Sequence, residues 1–363
     1  MIHDGVPGHE ARSRGVLAAL AQLGPVDPVW VPGALRGKLA RALMIGCAAI
    51  GSLPLRLTLW AHAARLPGGW PDVARPGRGR PDGGRPDEAR PDLVIGAGGR
   101  TQFLTLALAL QFGVPSVFAG LPRHLDGQRF SAVIAPYPVP GLPNLIELEM
   151  PLSEVNPEAA TRAGAVLRAE AGAAPVWTVL VGGDGGGYRY GEAEWAAMAG
   201  WLAAQAAAAG ARLCLATSRR TGRAAEARLR TKLPASGFLA RKIWGEGARG
   251  GLLPLMGAAD LIITTADSAT MIGEAVATGR PVLVLEPASS RPAPRHLQVL
   301  SGLAARGRIG RLALAELPET IATAHLRPIA QSPLDVLAEA LAPVVGQSVA
   351  ARAEPPLPET GAM

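Results

Sequence analysis

Aromatic side chains are scarce, five Phe, three Tyr and seven Trp making up 4% of 363 residues. Any core must therefore be built mainly from Leu, Val, Ile and Ala, and no stretch interleaves arginines with rings as an RNA-binding surface does. Cysteine is rarer still. Cys47 and Cys214 lie far apart, each in an apolar run, which excludes a disulfide framework or a cysteine-held metal cluster and suits buried thiols in a reducing cytoplasm. The first residues, Met1-Ile2-His3-Asp4, lack the basic n-region and apolar h-region of a secretory signal, so a cytoplasmic location is expected.

What is present is apolar and basic. With 48% hydrophobic residues, the chain can bury a core in each of two ordinary domains. Its 45 Gly and 33 Pro, with abundant Ala and Arg, match a GC-rich bacterial genome. The formal charge of +7 is partly local. Between Pro67 and Pro91 the dipeptide Arg-Pro recurs at Arg75, Arg80, Arg85 and Arg90, and proline at this density reads as an extended, solvated insertion. No nucleic-acid partner is expected. Leu39 to Trp60 is mostly apolar but broken by Arg41, Pro54 and Arg56, short of the about 20 apolar residues a spanning helix needs. Two readings stay open for it. One is a buried helix pair; the other is peripheral membrane contact at the inner membrane, with Arg36, Lys38, Arg41 and Arg56 facing headgroups.

Short apolar runs alternate with helical periodicity in both halves, which predicts an α/β chain with parallel sheets. Strands are expected at 92–96, 115–119, 132–135, 144–148, 176–181, 212–216, 261–265 and 281–285. Helices are expected at 101–112, 192–209, 223–232, 268–278 and 334–345. The best linker is Pro151 to Pro157. The implied organisation is a first domain over 1–153 with an insertion at 67–91, a second over 154–328, a last helix within 329–348 and a disordered tail at 349–363.

Three strand-to-helix corners carry the chemistry, since ligands collect beyond the carboxyl ends of parallel strands. Val181-Gly182-Gly183-Asp184-Gly185-Gly186-Gly187 can bring backbone N–H groups close to an anion, or be a flexible turn. Thr217-Ser218-Arg219-Arg220-Thr221 can clamp a diphosphate with its guanidiniums and hydroxyls, or be a solvated basic turn. The most specific corner runs from Thr264 to Glu274 through Thr265, Asp267, Ser268, Thr270 and Met271. Ser268 is placed to cap a helix whose N-terminus favours phosphate. Glu274, two turns on, can accept from both hydroxyls of a ribose.

This last segment, with Gly279-Arg280-Pro281-Val282, is similar to the nucleotide-sugar motif of GT-B glycosyltransferases. Together with Asp4-Gly5-Val6-Pro7-Gly8-His9-Glu10, Pro122-Arg123, Gly182-Gly183, Ser218-Arg219-Arg220-Thr221 and Trp244-Gly245, in that order along the chain, it resembles the mitochondrial-fission ELM1 family. Bacterial members of that family are described as candidate glycosyltransferases. The resemblance implies a GT-B-like α/β fold, two Rossmann-like domains facing a cleft, with a nucleotide sugar on the second and the acceptor on the first. It makes His9 the candidate base, with Asp4 and Glu10 as alternatives and a structural histidine equally open. No Asp-X-Asp pair is present, so no metal or resident cofactor is expected. The donor site comprises Gly182, Gly183, Ser218, Arg219, Arg220, Thr265, Asp267, Ser268, Thr270, Met271 and Glu274.

Departures from the family pattern cluster in the first half. Arg12 stands where a glutamine is expected, Tyr137-Pro138-Val139 replaces an expected His-Asp pair, and a Gly-Ala-Leu-His element near Leu148 is missing. The chain reaches Asp4 too soon to hold the full strand expected before it, which reads as a misassigned start or a lost first strand. Three functions compete: transfer of a sugar to a lipid-linked or cell-envelope acceptor, an adaptor that recruits a membrane-remodelling partner, and a nucleotide-sugar epimerase.

Overall fold

A computed structural model describes residues 1–62, 64, 91–233, 237–248 and 250–353. All of the expected insertion but Pro91 lies outside these residues, as does the tail beyond Ala353. The chain divides into two compact units, one formed by residues 1–148 with 334 onward, the other by 149–333.

In the first unit, β1 (Ile2–His3), β2 (Val31–Pro32), β3 (Val94–Ala97), β4 (Ser116–Ala119), β5 (Ala132–Ala135) and β6 (Leu145–Glu147) make one sheet. Its order is β2-β1-β3-β4-β5-β6, with every neighbouring pair parallel. The first strand is therefore present, though only two residues long. Ile2 pairs with both Val31 and Gly96 and is buried, which is enough to seat the loop after it. Helices α1 (Pro7–Leu20), α2 (Lys38–Ala49), α3 (Leu55–His62) and α4 (Gln102–Phe112) cover the sheet. Phe103 and Leu106 of α4 enter one core cluster with Met44, Phe118 and Val133. Leu104 and Leu108 enter another with Ile2, Val31 and Val94. A helix hydrophobic all round is one that is buried, and α4 is buried at all but two of its residues.

In the second unit α5 (Pro157–Ala171) precedes β7 (Val176–Val181), α6 (Glu192–Ala209), β8 (Arg212–Thr217), α7 (Arg223–Lys232) and β9 (Phe238–Lys242). Then come α8 (Leu253–Ala258), β10 (Leu261–Thr265), α9 (Ala269–Ala277), β11 (Val282–Glu286), α10 (Pro294–Ala305) and β12 (Gly310–Ala313). The sheet order is β12-β11-β10-β7-β8-β9, again all parallel. Strands β7 and β10 are buried along their whole length, as strands covered on both faces must be. Cys214, inside β8, is buried, and that burial pushes its thiol up to about 11.

The expected linker is not a free one. Pro151, Leu152 and Ser153 are buried, a Cβ on Gly273 of α9 would stand 3.0 Å from Pro151 Cδ, and Glu149 pairs with Arg308 at 2.7 Å. These contacts place the second unit's start at Glu149, and Asn156 opens α5 by accepting from the Ala159 amide at 2.8 Å. The last helix, α11, spans Pro333–Ala353, so residues 349–353, expected to be disordered, are helical; their alanines favour helix. It returns to the first unit, where the Gln22 amide donates to Asp335 at 3.0 Å. Among the described residues no helix is long and apolar enough to cross a membrane.

Each sheet has one place where the strand order reverses. In the first it lies between β1 and β3, in the second between β7 and β10. In parallel sheets the loops on either side of such a reversal diverge, and ligands collect there at the strands' carboxyl ends.

Candidate functional site

At the reversal in the second sheet, three loops are locked together by one carboxylate. The side chain of Asp267, just beyond β10, is fully withdrawn from solvent. Its Oδ1 accepts from Thr265 Oγ1 at 2.6 Å and from the Gly183 amide at 3.2 Å. Its Oδ2 accepts from Arg220 Nε at 3.1 Å and Nη2 at 2.5 Å. Thr265 Oγ1 in turn accepts from the Gly182 amide at 2.7 Å. Only glycine fits at 182, where a Cβ would collide with the Asp267 carboxylate. The loop after β8 is tied in as well: Ser218 Oγ donates to the Gly182 carbonyl at 2.7 Å, and Thr221 Oγ1 donates to the same oxygen at 2.6 Å.

Two aromatic residues brace this network. The Tyr190 hydroxyl accepts from the Ala266 amide at 2.9 Å and donates to the Leu285 carbonyl at 3.2 Å. Burial, then the Asp267 charge, raises its pKa. His296 Nε2 lies 2.8 Å from the Ala266 carbonyl, so that nitrogen carries the proton. Its ring packs on Tyr188 with centroids 5.3 Å apart. Burial lowers the His296 pKa, opposed by that hydrogen bond. Beyond the network α9 begins, capped by Ser268 Oγ accepting from the Met271 amide at 3.3 Å. The first turn of a helix leaves amide donors without intrahelical partners. Thr270, Met271 and Glu274 on this helix are half-buried.

At the reversal in the first sheet, the loop after β1 carries Asp4 and the first turn of α1 carries His9. The Asp4 side chain is fully buried, and His9 Nδ1 lies 3.0 Å from both its oxygens. The carboxylate fixes the tautomer in which Nδ1 bears the proton and Nε2 has a free lone pair. The ring rests on Gly98, just after β3, whose φ of +85° and whose missing Cβ both admit it. Glu10 is turned the other way, 3.5 Å from His3 Nδ1.

The residues expected from sequence thus fall into three groups. Thr265, Asp267, Ser218 and Arg220 are brought together, but their hydrogen bonds are to one another and to the Gly182 and Gly183 backbone, and the first two are buried. Gly182, Gly183, Ser268, Thr270, Met271 and Glu274 lie on the adjoining loop and helix, and Arg219 is exposed beside Arg220. Asp4, His9 and Glu10 belong to the other unit. Tyr190 and His296 were not anticipated. The one available signal was two of the chain's three tyrosines standing just after the glycine loop. Among the described residues no group of three or more His, Cys, Asp or Glu could hold a metal ion.

No curated protein matches the chain. Among solved structures it is similar to UDP-GlcNAc 2-epimerase from Methanocaldococcus jannaschii, at 12% identity and a TM-score of 0.55 over 94% of this chain and 98% of that one. It is also similar to E. coli ADP-heptose LPS heptosyltransferase II, at 15% and 0.43 over 96% and 98%, and to Acinetobacter baumannii MurG, at 16% and 0.37 over 72% and 70%. At 12% identity the likeness to the epimerase is one of fold, and the two parallel six-stranded sheets are of the α/β, GT-B-like class expected. The model of the family described as Mitochondrial fission ELM1 matches residues 7–340, and the chain belongs to that family.

Proposed function

We propose that the protein is a glycosyltransferase that holds a nucleotide-diphosphate sugar at the carboxyl edge of the second sheet and activates an acceptor hydroxyl with His9. The observation that carries this reading is the buried Asp4 carboxylate 3.0 Å from His9 Nδ1. An imidazole oriented in this way is equipped to take a proton through Nε2. As the acceptor oxygen bonds to the anomeric carbon, its proton passes to Nε2 and the bond from that carbon to the diphosphate breaks. The nucleoside diphosphate leaves with the electron pair. The first turn of α9 and the exposed Arg219 are the groups suited to its charge, and Glu274 suits the ribose hydroxyls.

A lipid-linked or envelope acceptor is favoured by α2. Leu39, Leu43, Gly46 and Ile50 follow one another at helical spacing, and Leu39 and Ile50 are 79% and 80% exposed. Residues 28–62 include Arg36, Lys38, Arg41 and Arg56 and no Asp or Glu. An exposed apolar stripe edged by cations suits the surface of an anionic bilayer.

The test is product analysis with each sugar nucleotide that binds, in the presence and absence of envelope lipid extract. A transferase consumes donor only with extract and releases the nucleoside diphosphate, and His9→Gln slows this by about 10²- to 10⁴-fold. Conversion of the sugar nucleotide without any acceptor would instead identify an epimerase.

A further inference from the structure

The carboxyl edge of the first sheet holds more positive charge than proton transfer uses. His9 and Arg12 stand three residues apart on α1 and so share one face of it. As His9 rests on Gly98, Arg12 rests on Gly120, the residue after β4, with Nη1 3.3 Å from where a Cβ there would stand. Gly120 has a φ of +124°, so the bare backbone that admits the guanidinium is one a side chain would rarely adopt. Arg123 runs along Gly99 in the same way, its Cδ 3.5 Å and Nε 3.8 Å from the corresponding Cβ position. Two cations and the His9–Asp4 pair therefore border the ends of β1, β3 and β4.

Arg12 is half-buried, and desolvation lowers its pKa. Among the described residues its guanidinium has neither a carboxylate nor a hydrogen-bond acceptor, and the same holds for the side chain of Arg123. The neighbouring acids are already engaged, Asp4 by His9 and Glu10 by His3. The contrast lies in the second unit, where the guanidiniums of Arg168, Arg220, Arg308 and Arg311 each hold a carboxylate. Withdrawing a cation from water without a partner is costly, and a fork of donors aimed at the ligand end of a sheet is suited to an oxyanion.

We propose that Arg12 and Arg123 form an oxyanion subsite that holds a phosphate or carboxylate of the acceptor beside the hydroxyl His9 activates. The word acceptor rests on the transferase reading; the anion does not.

The experiment follows the arginine Nε–Hε NMR signals of the full chain during titration with inorganic phosphate and, separately, with acetate. The Arg12 signal is the one missing from Arg12→Gln. It is expected to shift saturably with phosphate if the acceptor group is a phosphate monoester, and with acetate if it is a carboxylate. Binding, followed at the Arg123 signal in Arg12→Lys, which keeps the charge and loses the fork, and at the Arg12 signal in Arg123→Gln, should weaken about tenfold. An Arg12 signal unmoved by either anion up to about 50 mM would overturn the proposal, as would an Arg12→Lys protein that binds as tightly as wild type. Sugar-nucleotide affinity is measured on the same samples. If it is absent in wild type while phosphate still seats on Arg12, the transferase reading falls and the subsite stands. If Arg12→Lys loses it, the arginine serves the donor and the proposal fails.

Discussion

The carboxyl edges of the two sheets spend their polar groups differently. At the second, Asp267, Thr265, Arg220, Ser218, Thr221, Tyr190 and His296 are hydrogen-bonded to one another or to the loop backbones. At the first, His9 is held by Asp4, while Arg12 and Arg123 face the edge without carboxylate partners among the described residues. A site that must hold one rigid ligand gains from loops fixed in advance. A site that must hold a reacting group gains from an oriented base and from charge left for the ligand to neutralise. On the transferase reading proposed above, rigidity belongs to the donor side and reactivity to the acceptor side.

The sharpest way to break that division is at the base. His9→Gln is expected to lower turnover by about 10²- to 10⁴-fold while leaving sugar-nucleotide affinity unchanged, read from initial rates and calorimetry on one preparation. If affinity falls with rate, the base belongs to the donor site and the division is wrong. Next in size is Asp267→Ala, which leaves Arg220, Thr265 and the Gly183 amide without their acceptor. Arg220 is 41% exposed and recovers part of its loss in water, so about 3 kcal/mol of stability is expected to go, seen in chemical denaturation. Arg220→Ala should cost less than that. Equal costs would show that the loops do not depend on the buried carboxylate.

The apolar stripe sets a smaller effect. Leu39→Glu with Leu43→Glu is expected to weaken co-sedimentation with anionic vesicles by about tenfold and to leave the melting temperature within a few degrees of wild type. Unchanged co-sedimentation would remove the membrane from the account. The smallest effect is in pH. His62 in the first unit and His296 in the second both have lowered pKa values, chiefly through burial. Each binds its proton less readily folded than unfolded, so stability is full above the unfolded value near 6.5 and falls as pH drops below it. The loss is bounded by about 1.4 kcal/mol per pH unit per histidine. Melting at pH 7.5 and 5.5 should show both units losing stability on the acid side, and His296→Gln should flatten the second unit's share.

Much of this was legible from apolar runs. Strands β5, β7 and β10 and helices α6 and α7 have the bounds expected, because a strand covered on both faces is a short continuous apolar segment and a helix beside it keeps its period. Strands β1 and β2 escaped because two residues carry no pattern. Strands β9 and β12 escaped because Phe-Leu-Ala-Arg-Lys and Gly-Arg-Leu-Ala are edge strands, where charge is favoured over apolar continuity. At the site, the corner of Thr264 to Glu274 was visible, but the partners of Asp267 were not. Arg220 and Gly183 are 47 and 84 residues away, and a contact at that separation leaves no local signature. Arg12 stood out as a departure from the family pattern, and the fold sets it against Gly120 at the carboxyl edge of the first sheet.

The most direct test of the central claim is calorimetric titration of the whole protein with UDP-, GDP-, ADP- and CMP-sugars, wild type beside Glu274→Ala. The account predicts binding by one nucleotide class and a loss of about 2 kcal/mol in the variant, the worth of a hydrogen bond to a charged group. No binding by any class, or binding unchanged by Glu274→Ala, would contradict a donor site on α9, and the first of these results would leave an adaptor built on a transferase fold.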